Sequence, residues 1–436
     1  MYTVVEHLNN EPKDNINDSL DLEEAWDNHS ARQRNEMFKS ILLNNSTNFS
    51  WQELFLYTLG TTSIGVIAAT PNSLIPVHDL IQYSEYWYEI VIQASYSNFW
   101  ASASNCLLCG YFTNIQYLCL DRILFLMSII GFLRTFSFLT SIYLIWTLIC
   151  GFNFPVPFMG YSTYFFNNIT NLIVIWYFIP KVMRHNGETK TKVKNYLLLL
   201  CWTFLIASSY EVVVVVLRKC PPQYQPIFAL ALPALREVNI WIAIKYAKKS
   251  ARFDLCGATI ALKYCFSTAY TFSVCNTIGT IATETTSWIL IALDFFFNIY
   301  LAFRLVWLRK RHPDKLQAQI DVLQDLGIYE LVEILASASF LFGLGLTYFG
   351  PNGNLYGNIR RSIWTFTAIE DINKTMISIG KFFAVDFSST IICAIILRVF
   401  CQINLLNVFL QLQKEFRKYF LISLSRFMIA VSINRC

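Results

Sequence analysis

Apolar residues fill most of this chain in stretches of about 20, broken by short polar segments, and do not alternate along a strand or keep to one helical stripe. A helix of about 20 apolar residues crosses about 30 Å of hydrocarbon, so each stretch predicts a membrane span. Ten follow from the pattern, at 53–75, 86–118, 123–150, 155–180, 195–217, 226–246, 255–282, 285–308, 330–350 and 376–400. The first two are the most polar. The 53–75 stretch contains Thr61, Thr62, Ser63, Pro71 and Asn72, and 86–118 contains Glu89, Gln93, Asn98 and a serine-rich middle, so a re-entrant or interfacial path is the alternative for both. Beyond 400 the pattern changes to Leu405, Leu406, Phe409, Leu412, Phe416 and Phe420 with polar residues between them, which predicts an amphipathic helix lying on the cytosolic face. Leu316, Ile320, Leu323 and Leu326 predict a second such helix ahead of the ninth span. For both, a solvated linker helix is the plain alternative.

Composition agrees with the pattern. Of 436 residues 55% are apolar and 14% charged, where a soluble domain has about 25% charged residues. That excludes a soluble domain, a disordered chain, a coiled coil and a disulfide scaffold. The expected fold is an all-α polytopic integral membrane protein of three parts: a polar, disordered cytosolic tail over 1–50, a helical bundle over 51–400, and the C-terminal amphipathic helix over 401–436. The tail is acidic and lacks the basic flank and apolar core of a cleaved signal peptide.

Net charge is a modest +5, and its distribution matters more than its sum. Alternate connections separate eighteen Lys and Arg, from Arg122 to Arg435, from five on the other side: Arg218, Lys219, Arg360, Arg361 and Lys374. The rich side is cytosolic. Ten spans then leave both termini in the cytosol. Of the Asn-x-Ser/Thr sequons, Asn17, Asn28, Asn44, Asn45 and Asn48 fall on the cytosolic tail and Asn168 in a span, which leaves Asn373 as the lumenal glycosylation candidate. Cys150 and Cys220 sit together at lumenal span ends and would bridge if their helices are neighbours; two unpaired thiols are the alternative.

Signatures of catalysis are missing. The five histidines lie outside the spans without metal-ligand spacing, and no GxSxG, HExxH, P-loop or dinucleotide motif occurs. Cys106 and Cys109 form the one Cys-x-x-Cys, which on a helix reads as packing. Asp121-Arg122 resembles the pair that ends the third helix of rhodopsin-like receptors, but here it begins a span and no Asn-Pro-x-x-Tyr accompanies it. The reading is therefore a non-enzyme without cofactor or metal. Its partners are the bilayer and a small solute or ion, and nothing points to nucleic acid.

Ionisable residues inside spans are the strongest chemical signal, since each costs at least about 2.5–3.5 kcal/mol at a helix centre unless paired or hydrated. Arg236, Glu237, Lys263, Asp294 and Asp386 are the candidates for a polar midplane in the second half, with Asp294 and Asp386 both about 13–15 Å deep. Such a set can bind a coupling ion or proton, or can pair statically, Glu211 with Arg236 and Lys263 with Asp294. Pro233, three residues before Arg236, predicts a kink beside the charged pair. Only 16 glycines argue against extensively unwound helices. The polar, aromatic and basic segment Gly350 to Lys374 suits an interfacial loop or a lid. The expected function is a transporter or channel for a small solute or ion in the plasma membrane or an endomembrane. The alternative is a receptor or scaffold whose intramembrane charges are structural.

Overall fold

The computed structural model describes residues 36–43, 50–74, 87–113, 115–151, 159–250, 255–280, 284–349 and 372–433. Among them every regular element is helical. Eleven long helices follow one another: α1 (Trp51–Leu74), α2 (Trp87–Thr113), α3 (Asp121–Cys150), α4 (Met159–Phe178), α5 (Gly187–Lys219), α6 (Ala231–Ser250), α7 (Leu255–Thr280), α8 (Glu284–Arg311), α9 (Leu316–Phe349), α10 (Ile372–Ile396) and α11 (Leu405–Ile433). Among the described residues six helical stretches are long and apolar enough to cross a membrane: Trp51–Pro71, Asp121–Ile149, Gln225–Lys245, Glu284–Arg311, Leu316–Gly345 and Met376–Cys401. Large apolar side chains such as Leu148, Ile149, Tyr177, Phe296 and Ile395 stand exposed on the outside of the bundle, while Arg236, Asp294, Glu330, Glu333 and Asp386 are buried in it. Apolar outside and ionisable inside is the arrangement of an integral membrane protein, whose outer solvent is lipid.

The two polar early stretches are continuous helices. Hydroxyls in α1 satisfy themselves on the preceding turn, Thr61 donating to the Tyr57 carbonyl (2.7 Å), Thr62 to Thr58 (2.9 Å) and Thr70 to Val66 (2.9 Å), so they leave the helix no unpaired group. The serine-rich middle of α2 is the face against which α3 packs. A Cβ added at Gly131 of α3 would come within 2.6 Å of Ser102 Cβ and 2.7 Å of the Asn98 carbonyl oxygen, so glycine is what lets the two backbones approach. A single 3-10 turn, Gln116–Cys119, lies between the two helices.

Two expectations are corrected by packing. Leu316, Ile320, Leu323 and Leu326 do not form a separate cytosolic helix, because the chain runs without a break from Leu316 to Phe349 and Ile320, Leu323 and Leu326 are buried. The span predicted at 330–350 therefore continues an element that begins 14 residues earlier, and α9, touching α1, α7, α8, α10 and α11, is the central helix. Nor is the C-terminal amphipathic helix a peripheral one. Leu405, Val408, Phe409, Leu412, Phe416 and Phe420 are buried against α1, α2 and α9, with a kink at Phe416. Its polar face reaches the beginnings of two other helices: Lys414 Nζ lies 2.5 Å from Glu53 Oε2 of α1, and Lys418 Nζ 2.8 Å from Asp121 Oδ1 of α3. Within the polar N-terminal tail, residues 36–43 are helical and bury Phe38, Ile41 and Leu42.

Pro233 acts more strongly than a kink. The helical run Gln225–Ala229 stops, Leu230 is a turn, and α6 begins at Ala231. A proline at 233 has no N–H to give to the Ala229 carbonyl, so the run breaks there and restarts with Pro233 in its first turn.

Candidate functional site

Four helices converge on Arg236. From α6 its side chain, 1% exposed, extends among α7, α8 and α9 and lies over three rings, 4.4 Å from the Tyr270 centroid, 4.6 Å from Tyr329 and 5.0 Å from Phe297. An aromatic cage of this kind is worth about 2 kcal/mol or more for a desolvated cation. Two buried carboxylates complete the surroundings, since Nη1 lies 3.5 Å from Asp294 Oδ1 and 3.6 Å from Glu333 Oε1. Each acid is oriented by a further donor: the Tyr270 hydroxyl donates to Asp294 Oδ1 (2.9 Å) and Asn298 Nδ2 to Glu333 Oε2 (2.6 Å).

One turn along α9 from Glu333, Glu330 faces α10. Ser389 Oγ donates to its Oε1 (3.0 Å) and Thr390 Oγ1 to its Oε2. Asp386, one turn before Thr390, is 1% exposed, and among the described residues neither of its carboxylate oxygens accepts a hydrogen bond. It interacts electrostatically with Glu333, Asp294 and Glu330. The site therefore holds four buried carboxylates, Asp294, Glu330, Glu333 and Asp386, around one buried guanidinium. Charge balance in a low-dielectric interior requires protons or cations in addition to Arg236, because each uncompensated buried charge costs several kcal/mol.

Of the residues singled out in the sequence, Arg236, Asp294 and Asp386 meet here. Glu237 lies at the rim, its Oε1 3.1 Å from Arg236 Nε and its side chain 44% exposed. Lys263 is elsewhere. It pairs with Asp325 and not with Asp294, as Asp294 faces Arg236 and Tyr270 while Asp325 is two turns of α9 away from Glu333. The side chain of Glu211, the expected partner of Arg236, lies outside the described residues, as do the segment 350–371, the sequons at 17, 28, 44, 45 and 48, and the side chains of Cys150 and Asn373, the latter in the first turn of α10. Cys220 is a free thiol, and Cys106 and Cys109 are free and buried, as packing residues are.

Glu330 and Glu333 escaped the sequence reading because a span starting at 330 puts both at its edge. The continuous apolar register from Leu316 through Leu326 was the signal that they sit in mid-helix. Among the described residues no cluster of His, Cys, Asp and Glu is arranged to hold a metal ion.

No protein-family model, no curated protein and no solved structure matches the chain.

Proposed function

We propose that the chain is a multi-pass transporter or channel for a small solute or ion, coupled to a proton or monovalent cation at the acid cluster of α8, α9 and α10. The observation that carries this reading is the excess of acid, with Asp386 at its centre. Static interhelical glue pairs charges one to one; four buried carboxylates around one arginine, one of them accepting no hydrogen bond, are instead suited to loading and releasing a positive charge. Ten spans with both termini cytosolic, in the plasma membrane or an endomembrane, complete the proposal. The ion pairs from α11 to the first turns of α1 and α3 support that alternation, since both turns then face the cytosol.

A receptor or scaffold with structural charges is the second reading, favoured by the caging of Arg236, which fixes that side chain from three sides. Reconstituted liposomes carrying an internal pH dye separate the two. Under an imposed proton or sodium gradient the wild type should dissipate it, and Asp386→Asn and Asp294→Asn should not. Folded variants that retain wild-type uptake, current and pH response would leave the receptor or scaffold reading.

A further inference from the structure

A second polar centre lies in the first half of the bundle, between α2, α3 and α4, and its chemistry is opposite to that of the acid cluster. Arg134 of α3 donates through Nη2 to Asn171 Oδ1 of α4 (2.7 Å). The same oxygen accepts from Ser102 Oγ of α2 (3.0 Å), and Thr135 Oγ1 donates to Asn167 Oδ1 (3.0 Å). These contacts fix both amides with their oxygens committed, for turning Asn171 over would set its NH2 against the guanidinium. What remains is a set of donors. Among the described residues, Arg134 Nε and Nη1, Asn167 Nδ2 and Asn171 Nδ2 are all buried and without a hydrogen-bond partner, and Asn167 and Asn171 are 4% and 1% exposed.

Water can satisfy amide N–H groups but cannot neutralise a guanidinium. Among the described residues no carboxylate pairs with Arg134, the fourteenth of 30 residues in α3 and so about 20 Å along the helix from its start. A cation at that depth calls for a counter-charge, and headgroup phosphates lie at the helix ends.

We infer that Arg134, Asn167 and Asn171 form a binding site for a small anion, whose negative charge answers Arg134 and whose lone pairs take up the leftover amide and guanidinium donors. The same chemistry is offered by a free anion or by a lipid headgroup phosphate drawn inward. Independently of any transport, the site predicts that anion binding stabilises the fold.

The test uses the full chain in detergent, its unfolding followed by tryptophan fluorescence. Sodium phosphate, acetate and chloride are titrated in turn, sodium HEPES keeping the ionic strength constant. At least one should raise the midpoint temperature saturably, and Arg134→Gln should weaken that response about tenfold or more, while Arg304→Gln, which removes an exposed arginine of α8, should leave it unchanged. Asn171→Asp keeps the side-chain shape and supplies the negative charge from within. It should raise the midpoint without added anion and abolish the response, an outcome that stands even if Arg134→Gln fails to fold. A response confined to nanodiscs containing phosphatidylglycerol, absent with phosphatidylcholine alone, would assign the anion to a headgroup. The inference is overturned if neither salts nor anionic lipid shift the wild type, or if Asn171→Asp lowers the midpoint and leaves the response in place.

Discussion

Arg236 and Asp386 are both buried ionisable groups of the same cluster, yet they call for opposite consequences on substitution. Arg236 is held by three rings and faces Asp294 and Glu333, so Arg236→Gln removes a cation that two buried acids need and should cost about 3–5 kcal/mol of stability. Arg236→Lys should recover only part of this, since an ammonium lacks the planar surface that stacks on Tyr270 and Tyr329. Thermal unfolding in detergent reads both, and a Gln variant as stable as wild type would refute the role given to the guanidinium. Asp386 has no such ties. Asp386→Asn removes a desolvated carboxylate whose oxygens accept no hydrogen bond, and should leave the unfolding temperature unchanged or higher while the gradient-driven flux is lost. A marked fall in stability would mean that the carboxylate is structural.

At the scale of elements, the docking of α11 onto α9 depends on Gly327. A Cβ placed there meets Val408 Cγ1 at 2.7 Å, so Gly327→Ala forces the two helices apart or turns the valine, at a cost of about 1–3 kcal/mol. Val408→Ala in the same chain should return much of that loss, and a double mutant no more stable than Gly327→Ala would show that α11 does not pack at this point. Gly131 makes the corresponding contact between α2 and α3, where the close atoms include the Asn98 backbone oxygen. Gly131→Ala should therefore destabilise more than Gly327→Ala and should also disturb the Ser102 and Arg134 contacts to Asn171. Comparison of the two midpoints checks the order. The amphipathic pattern beyond 400 announced a helix with one buried face; that this face is covered by α1, α2 and α9 and not by lipid headgroups depends on shape complementarity, which a periodicity does not carry.

For the whole molecule, orientation is the testable property. Reporter tags at the two ends should both be inaccessible until the cell is permeabilised, and the sequons at Asn17 and Asn28 should remain unmodified. An external N-terminus with an internal C-terminus would mean that one of the two polar early helices does not cross. The class of protein, the helical content and the presence of buried ionisable residues were determined by the sequence, because the cost of exposing backbone and charge to hydrocarbon acts on every residue locally and leaves its mark in composition and run length. Pro233 likewise declared a discontinuity through a missing N–H, a covalent property. Partnership was decided by the tertiary structure alone. The sequence left Lys263 as a possible partner of Asp294, and the azimuth of each helix selected Arg236 for Asp294 and Asp325 for Lys263. Glu330 and Glu333 joined the site only once α9 proved continuous from Leu316. The donors around Arg134 became a set only when α2, α3 and α4 came together, since each is an ordinary polar residue until packing removes the water that would otherwise satisfy it.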